Sequence, residues 1–392
     1  MSSWSMDIEW NAQWKDYFGL GRYNLVNAWK LDYVLAEARR CGLRIHLVLE
    51  NHGKASSTVD EEWDFSPYNQ RNGGPLQSPV EFFSRADVRG IYKKKLRYIV
   101  ARWGYDPTIM GFELWSEVNL TGDGNQTVPA AEFSKMKVDW HKDVATYLKR
   151  IDHNRHLLTT HFSGDFRAVR PELVNNPEIP IDYVSGDAYR GRESIVGLVT
   201  ATAKELGAMG KPVLITEYGG SSRGGAFGPL DADIHTGLWA SYMTNLAGTP
   251  LLWWFMYIDL HDKYPYYQAL ANYARGEDKR GRALETVVLP VTGAAAENVS
   301  ALALRDARSA YVWVFNRGVA LSMPPPGSEI RIEGLSLAVG GLEPGRYVVE
   351  VWDTYRGEIV ETKTVAADGG KAEIALPAFA NDVALKIKPA PK

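Results

Sequence analysis

The chain has 392 residues, 45% hydrophobic and 23% charged, a composition that fits one large globular domain plus a smaller one. A formal net charge of -3 gives no basic excess to attract nucleic acid or an anionic membrane, and no run approaches the ~18 to 20 apolar residues of a membrane span. The single cysteine, Cys41, excludes an intrachain disulfide and a cysteine-built zinc site, and is expected to be a small buried hydrophobe. The opening segment MSSWSMDIEW carries neither the basic nor the apolar region of a signal peptide. From residue 24 to about 280, apolar strand-like runs alternate with amphipathic helices. WKLDYVLAEARRCG sets Leu31, Val34, Leu35 and Ala38 on one face, with Gly42 as its stop. The strands expected are LRIHLVLENHG (43–53), IMGFELWSEVN (109–119), LLTTHFSGD (157–165), YVSGDAYR (183–190), PVLITEYGG (212–220) and PLLWWFMYIDL (250–260). Between them the helices expected are DVRGIYKKKLRYIVARWG, FSKMKVDWHKDVATYLKRI, IVGLVTATAKELGAMG and DIHTGLWASYMTNLAG.

Such repetition suggests a parallel sheet covered by helices, closed as a (β/α)8 TIM-type barrel over residues 1–280. Past about residue 281 the pattern changes to short alternating runs bounded by Gly, Pro and Asp, among them SAYVWVFNRG, GRYVVEVWDTYRGEIVETKTV and DVALKIKP. These predict a C-terminal β-sandwich over 281–392, read as a buttress unless several exposed tryptophans share one face.

The run GFELWSEVNL (111–120) carries two glutamates, Glu113 and Glu117, where a buried strand is expected. An ionised carboxylate without a partner costs several kcal/mol to bury, so the pair is either matched by cations in the core or part of a site. Polar residues recur at other strand ends: Asn51 and His52, Asn119, Asp165, Asp187 and Tyr189, Glu217 and Tyr218, Asp259 and His261. In a (β/α) barrel those ends form the active face. Glycoside hydrolysis there needs two carboxyl groups across the scissile bond, and Glu117 in LWSEVN and Glu217 in LITEYGG supply a pair from two strands.

The chain resembles the retaining glycoside hydrolases of clan A, family 5 (cellulase-like). The likeness covers most of residues 24–275, through LVLENHG, PYNQRNGGPLQSPVEFF, LRYIVARWGYDPTIMGFELWSEVN, ITEYGG and the WW pair. It implies that Glu117 is the acid/base, protonated near neutral pH because the charge of Glu217 raises its pKa, and that Glu217 is the nucleophile, oriented by Tyr189. It further implies sugar contacts from Asn51, His52, Trp115, Ser116, Asn119, Asp187 and Trp254, with no metal or cofactor. Tyr218 is expected to pack and Glu113 to make a structural ion pair. The implied partner is a poly- or oligosaccharide: a β-glucan, β-mannan or related polymer cleaved by double displacement. The alternative is a carbohydrate-binding pseudoenzyme. A metal-dependent hydrolase ranks last because no HExxH or HxH pattern stands at a strand end.

Three departures qualify the likeness. Ser116 stands where the family has Asn, Asp187 where it has His, and the sequence begins at about the place of a second-strand arginine. Only six clear strands are counted where closure needs eight. A truncated gene product, a trimmed sequence or closure by another element would each account for this; truncation is the expectation, with a secreted or periplasmic protein if the native start is missing. Asn119, Asn125 and Asn298 match the glycosylation pattern, which matters only on secretion.

Overall fold

The computed structural model describes residues 6–124, 127–189, 194–220 and 225–391; Asn125 and Arg190 lie outside them. Two compact units divide the chain, Met1–Gly186 and Asp187–Lys392. The composition change near residue 281 falls inside the second.

In the first unit the elements are α1 (Leu25–Arg40), β1 (Ile45–Val48), α2 (Glu81–Ser84), α3 (Ala86–Trp103), β2 (Ile109–Glu113), α4 (Ala130–Ile151), β3 (Leu157–Thr159), α5 (Pro171–Val174) and β4 (Val184–Tyr189), the last crossing into the second unit. Helix α1 begins where the Asn24 side chain accepts from the Asn27 N–H, and it buries Ala28, Leu31, Leu35 and Ala38 on the expected face. Its end corrects one expectation. Cys41 is the C-cap and is exposed, because Gly42 follows in the left-handed conformation and turns the chain outward.

Strands β1, β2 and β3 form a parallel sheet in that order, with Val48 opposite Glu113 and Glu113 opposite Thr159. Gly111 is needed at its centre, since a Cβ there would come within 2.7 Å of the Leu157 carbonyl. Beyond the strands the alignment continues to a bridge between Asn51 and Ser116. Side chains carry part of the connection from β3 towards β4: Thr159 Oγ1 donates to the Tyr183 carbonyl (2.7 Å) and the Leu158 N–H donates to Asp182 (2.7 Å).

The second unit continues with α6 (Ile195–Gly207), β5 (Val213–Gly219), α7 (Phe227–Tyr242), α8 (Phe255–Leu260) and α9 (Tyr264–Ala274). Strand β5 pairs with β4 in a two-stranded sheet. The expected strand at PLLWWFMYIDL is a correction. Its first part does run along β5, with the Leu251 N–H donating to the Ile215 carbonyl and the Trp253 N–H to the Tyr218 carbonyl around a Leu252–Tyr218 bridge, but from Phe255 the chain is the helix α8, burying Tyr257 and Ile258 while exposing Phe255, Met256 and Leu260. An unbroken apolar run has no period with which to tell strand from helix. Asp259 and His261 therefore lie at a helix end, where Asp259 accepts from the Tyr264 hydroxyl.

The remainder is β6 (Glu285–Val288), β7 (Val291–Thr292), β8 (Val299–Arg305), β9 (Ala310–Asn316), β10 (Ser336–Gly340), β11 (Gly345–Asp353), β12 (Glu358–Ala367), β13 (Lys371–Ala375) and β14 (Asp382–Pro389). They build an antiparallel sheet in the order β12-β11-β14-β9-β8-β6 and a smaller one, β13-β10-β7. Alternate residues such as Val312, Val314, Leu337, Val349, Ile374 and Leu385 face one shared core. The opposite face of the larger sheet is covered too. Tyr273 of α9 donates to the Leu385 carbonyl and packs on Trp352, while Tyr242 of α7 packs on Tyr311. Burial on both faces explains why β9 reads as a continuous apolar run. Trp313 and Trp352 are both buried. Among the described residues no helix is long and apolar enough to cross a membrane.

Candidate active site

The first unit carries Glu117. Strand β2 stops at Glu113, and four residues later Glu117 adopts φ 54°, ψ 48° before a single 3₁₀ turn, Val118–Leu120. A left-handed non-glycine residue is strained, and such strain collects at functional sites. Two histidines hold it. The Glu117 N–H donates to Nδ1 of His161 (3.2 Å), and the Glu117 carboxylate Oε2 meets Nδ1 of His52 at 3.0 Å. His52 is buried, and its other nitrogen, Nε2, lies 2.9 Å from Oδ2 of Asp60. Burial pushes the Glu117 carboxyl up, but the bond and charge of His52, with Ser163 and His161, outweigh it and hold the group below the usual glutamate range. Burial likewise depresses His52, and Glu117 and Asp60 outweigh that and raise it. The expectation of a Glu117 protonated near neutral pH is thereby reversed: a histidine in bonding contact sets the direction.

The second unit carries Glu217 near the end of β5. The Tyr189 hydroxyl, from the end of β4, donates to Glu217 Oε1 at 2.6 Å. Asp187 lies two residues earlier, on the same face of β4, and is buried. Beside Gly219, a Cβ would stand 3.7 Å from Tyr189 and 3.9 Å from Trp254, so both rings border the stretch that follows Glu217. Tyr218, of opposite parity, points into packing; its hydroxyl donates to the Asp233 carbonyl.

Other expected site residues divide. Asn51 is buried beside His52, its amide nitrogen 3.4 Å from Glu62, and Ser116 lies opposite it. Trp115 is a correction: it is fully buried against Phe82, Phe83 and Trp140, because β2 ends at Glu113 and the chain leaves strand geometry before Glu117, which is itself left-handed. Asn119 bonds both ways to the Ser163 backbone, at 3.0 and 2.9 Å, and clamps that loop. Asp165 closes a turn with Arg167. Glu113 makes the structural contact expected of it, with His46 at 3.0 Å and a hydrogen bond from Ser185. The residues missed are His161, Asp60 and Ser163. His161 was legible as the first ionisable residue of TTHFSGD, whereas Asp60 lies in a loop with no periodic signal.

The order of strands and helices is shared with solved glycoside hydrolases. A solved glycoside hydrolase superposes with a TM-score of 0.58 at 14% identity, covering 93% of this chain and 78% of that one. A family 5 glycoside hydrolase from Bacteroides vulgatus ATCC 8482 gives 0.53 at 12% identity, covering 93% and 74%. In sequence the chain is similar to mannan endo-1,4-beta-mannosidases. It is 26% identical over 248 residues to mannan endo-1,4-beta-mannosidase 7 of Arabidopsis thaliana, which is 55% of each chain. It is 25% identical over 209 residues to mannan endo-1,4-beta-mannosidase F of Aspergillus fumigatus, covering 48% of this chain and 43% of that one. The chain spans about half the length of the curated relatives it matches. No family model matches it.

Proposed function

We propose that the chain is a retaining β-glycosidase acting on a β-mannan, β-glucan or related polysaccharide. We read β1 to β5 and the segment at Leu252 as consecutive strands of a (β/α)8 barrel carried by residues 1–280, with 281–392 as its β-sandwich. Glu217 is the nucleophile and Glu117 the acid/base, which requires their carboxyl groups to stand ~5 to 5.5 Å apart across the scissile bond. The observation that supports this best is the 2.6 Å bond from Tyr189 to Glu217. A phenol donating to one oxygen keeps the carboxylate ionised and aims the other at an anomeric carbon. The mannanase relatives favour a mannan backbone. Asn51, His52, Ser116, Asp187 and Trp254 are the sugar contacts in this reading, and no step needs a metal or cofactor.

Product NMR on a panel of mannan, glucomannan and cellulose oligomers tests it, with a 2-deoxy-2-fluoro glycoside as trap. The β-anomer should form first and the trap should label the peptide containing Glu217. Initial α-anomer, or a label elsewhere, would overturn the reading. Binding with turnover equal in wild type, Glu117→Ala and Glu217→Ala would leave the pseudoenzyme, the alternative favoured by Ser116 and Asp187.

A further inference from the structure

His52 stands between two carboxylates, Glu117 on Nδ1 at 3.0 Å and Asp60 on Nε2 at 2.9 Å. Two proton arrangements are compatible with both contacts. In one the ring is an imidazolium donating to two ionised carboxylates. In the other a protonated Glu117 donates to Nδ1, and only Nε2–H donates, to Asp60. Both contain the same number of protons and differ by one transfer across the 3.0 Å contact between Nδ1 and Glu117 Oε2. A negative charge at Nε2 favours the first.

Asp60 is held in place for this. It takes a left-handed φ of 46°, and its carbonyl packs so tightly over residue 53, next to His52, that a Cβ there would meet it at 2.7 Å; the residue is Gly53. Its side chain is 54% exposed, and an ion pair that open adds little stability, so folding alone does not account for a strained residue aimed at a buried ring. The charged groups of the neighbouring elements are disposed otherwise. Lys54 turns to Asp7 and Glu50, Asp64 pairs outward with Arg71, Glu62 faces the Asn51 amide, and His161 takes the Glu117 N–H.

We propose that His52 and Asp60 are positioning residues forming a proton store for Glu117, so that the general acid is the Glu117–His52 couple and Asp60 sets where its proton rests. The proposal rests on the glycosidase reading for its catalytic part. In the first half-reaction the proton leaves Nδ1 for Glu117 and passes to the glycosidic oxygen as the C–O bond breaks, its electron pair going to that oxygen. The ring is left neutral, still donating to Asp60 through Nε2. In the second half-reaction Glu117 takes a proton from the attacking water and returns it to Nδ1. A low-lying Glu117 is then compatible with acid catalysis, because the raised histidine carries the proton.

The test has two arms on the full chain. Heteronuclear NMR of the imidazole nitrogens, assigned with His52→Gln, should show His52 titrating above the ordinary value of about 6.5 in wild type and at least about one unit lower in Asp60→Asn. Asp60→Glu should restore most of the difference. An unchanged His52 titration in Asp60→Asn overturns the store whether or not the chain turns over, so this arm is independent of the glycosidase reading. In the second arm the basic limb of kcat/KM should move down with the His52 titration, lowering the rate about tenfold on that limb and by less at the optimum. A displaced titration with an unmoved limb overturns the catalytic part. Absence of wild-type turnover with the predicted titration overturns the glycosidase reading and leaves the store standing.

Discussion

At the scale of single residues, the second half-site depends on one donor. Removing the phenol in Tyr189→Phe takes away a hydrogen bond to a carboxylate, an interaction of about 1.5 to 3 kcal/mol, equivalent to roughly 10- to 100-fold in rate. We expect kcat/KM on a mannan oligomer to fall by that factor with the circular dichroism spectrum unchanged. A rate within twofold of wild type would show that the phenol does not act on Glu217. Glu117 and Glu217 stood out in the sequence because an ionisable residue closing an apolar run is costly without a purpose, and Tyr189 through the family resemblance; its bond to Glu217 is what the structure adds. Asp60 was not, since it meets His52 from a loop with no periodic signal, and Trp115 was misread because the strand ends at Glu113, so the alternation of the run no longer tells which way its later side chains point.

At the scale of elements, helix α3 shows where patterning helps and where it fails. Its apolar stripe is Val88, Tyr92, Leu96, Ile99 and Trp103, as period 3.6 predicts, yet Lys95 of the KKK run is buried in it. Nothing in a run of three lysines says which one turns inward. Lys95 pairs with Glu50 and lies 3.5 Å from Asp7, and Lys54 lies 2.5 Å from both acids. Four buried charges thus neutralise one another across α3, the end of β1 and the segment before α1. Lys95→Met should cost about 3 to 5 kcal/mol in urea unfolding, because it leaves two buried acids with one cation. Lys93→Met, which breaks a partly exposed pair with Asp143, should cost about 1 kcal/mol or less. Equal losses would mean that the buried network contributes no more than a surface pair. The pH dependence has a definite sign. Burial raises Asp7, and Lys54 and Lys95 outweigh it and hold it below its ordinary range. Its stabilisation is therefore complete above the ordinary aspartate range and lost as pH falls through the depressed value. The gap between wild type and Lys95→Met should narrow in acid.

At the scale of the whole molecule, a composition change near residue 281 marks where helices give way to strands, and whether cooperative structure ends there is a separate question. Asp187–Lys392 is one compact unit, and we expect the antiparallel sheets to fold with β5 and the helices around it. The link is specific. Asp382 at the start of β14 meets Nε2 of His235 on α7 at 2.5 Å and accepts from Trp313 Nε1 at 3.1 Å and from the Thr354 hydroxyl, while the His235 ring stacks on Tyr355 at 4.3 Å. Such a contact is invisible in sequence because 147 positions separate its partners and each looks ordinary in its own segment. Asp382→Ala strips three buried donors of their acceptor. Breaking a buried pair costs about 3 to 5 kcal/mol, and at roughly 2 to 4 °C per kcal/mol for a unit of this size Tm should fall by about 6 to 20 °C. Asp382→Asn, which keeps one acceptor, should fall less. Hydrogen exchange followed by mass spectrometry distinguishes one cooperative unit from two: in Asp382→Ala, peptides of α7, β5 and β14 should lose protection at a common temperature. Protection surviving in β5 and α7 after β14 has opened would instead make residues 281–392 a separately folding domain, and would predict that a chain ending at residue 280 keeps the Tyr189–Glu217 half-site intact.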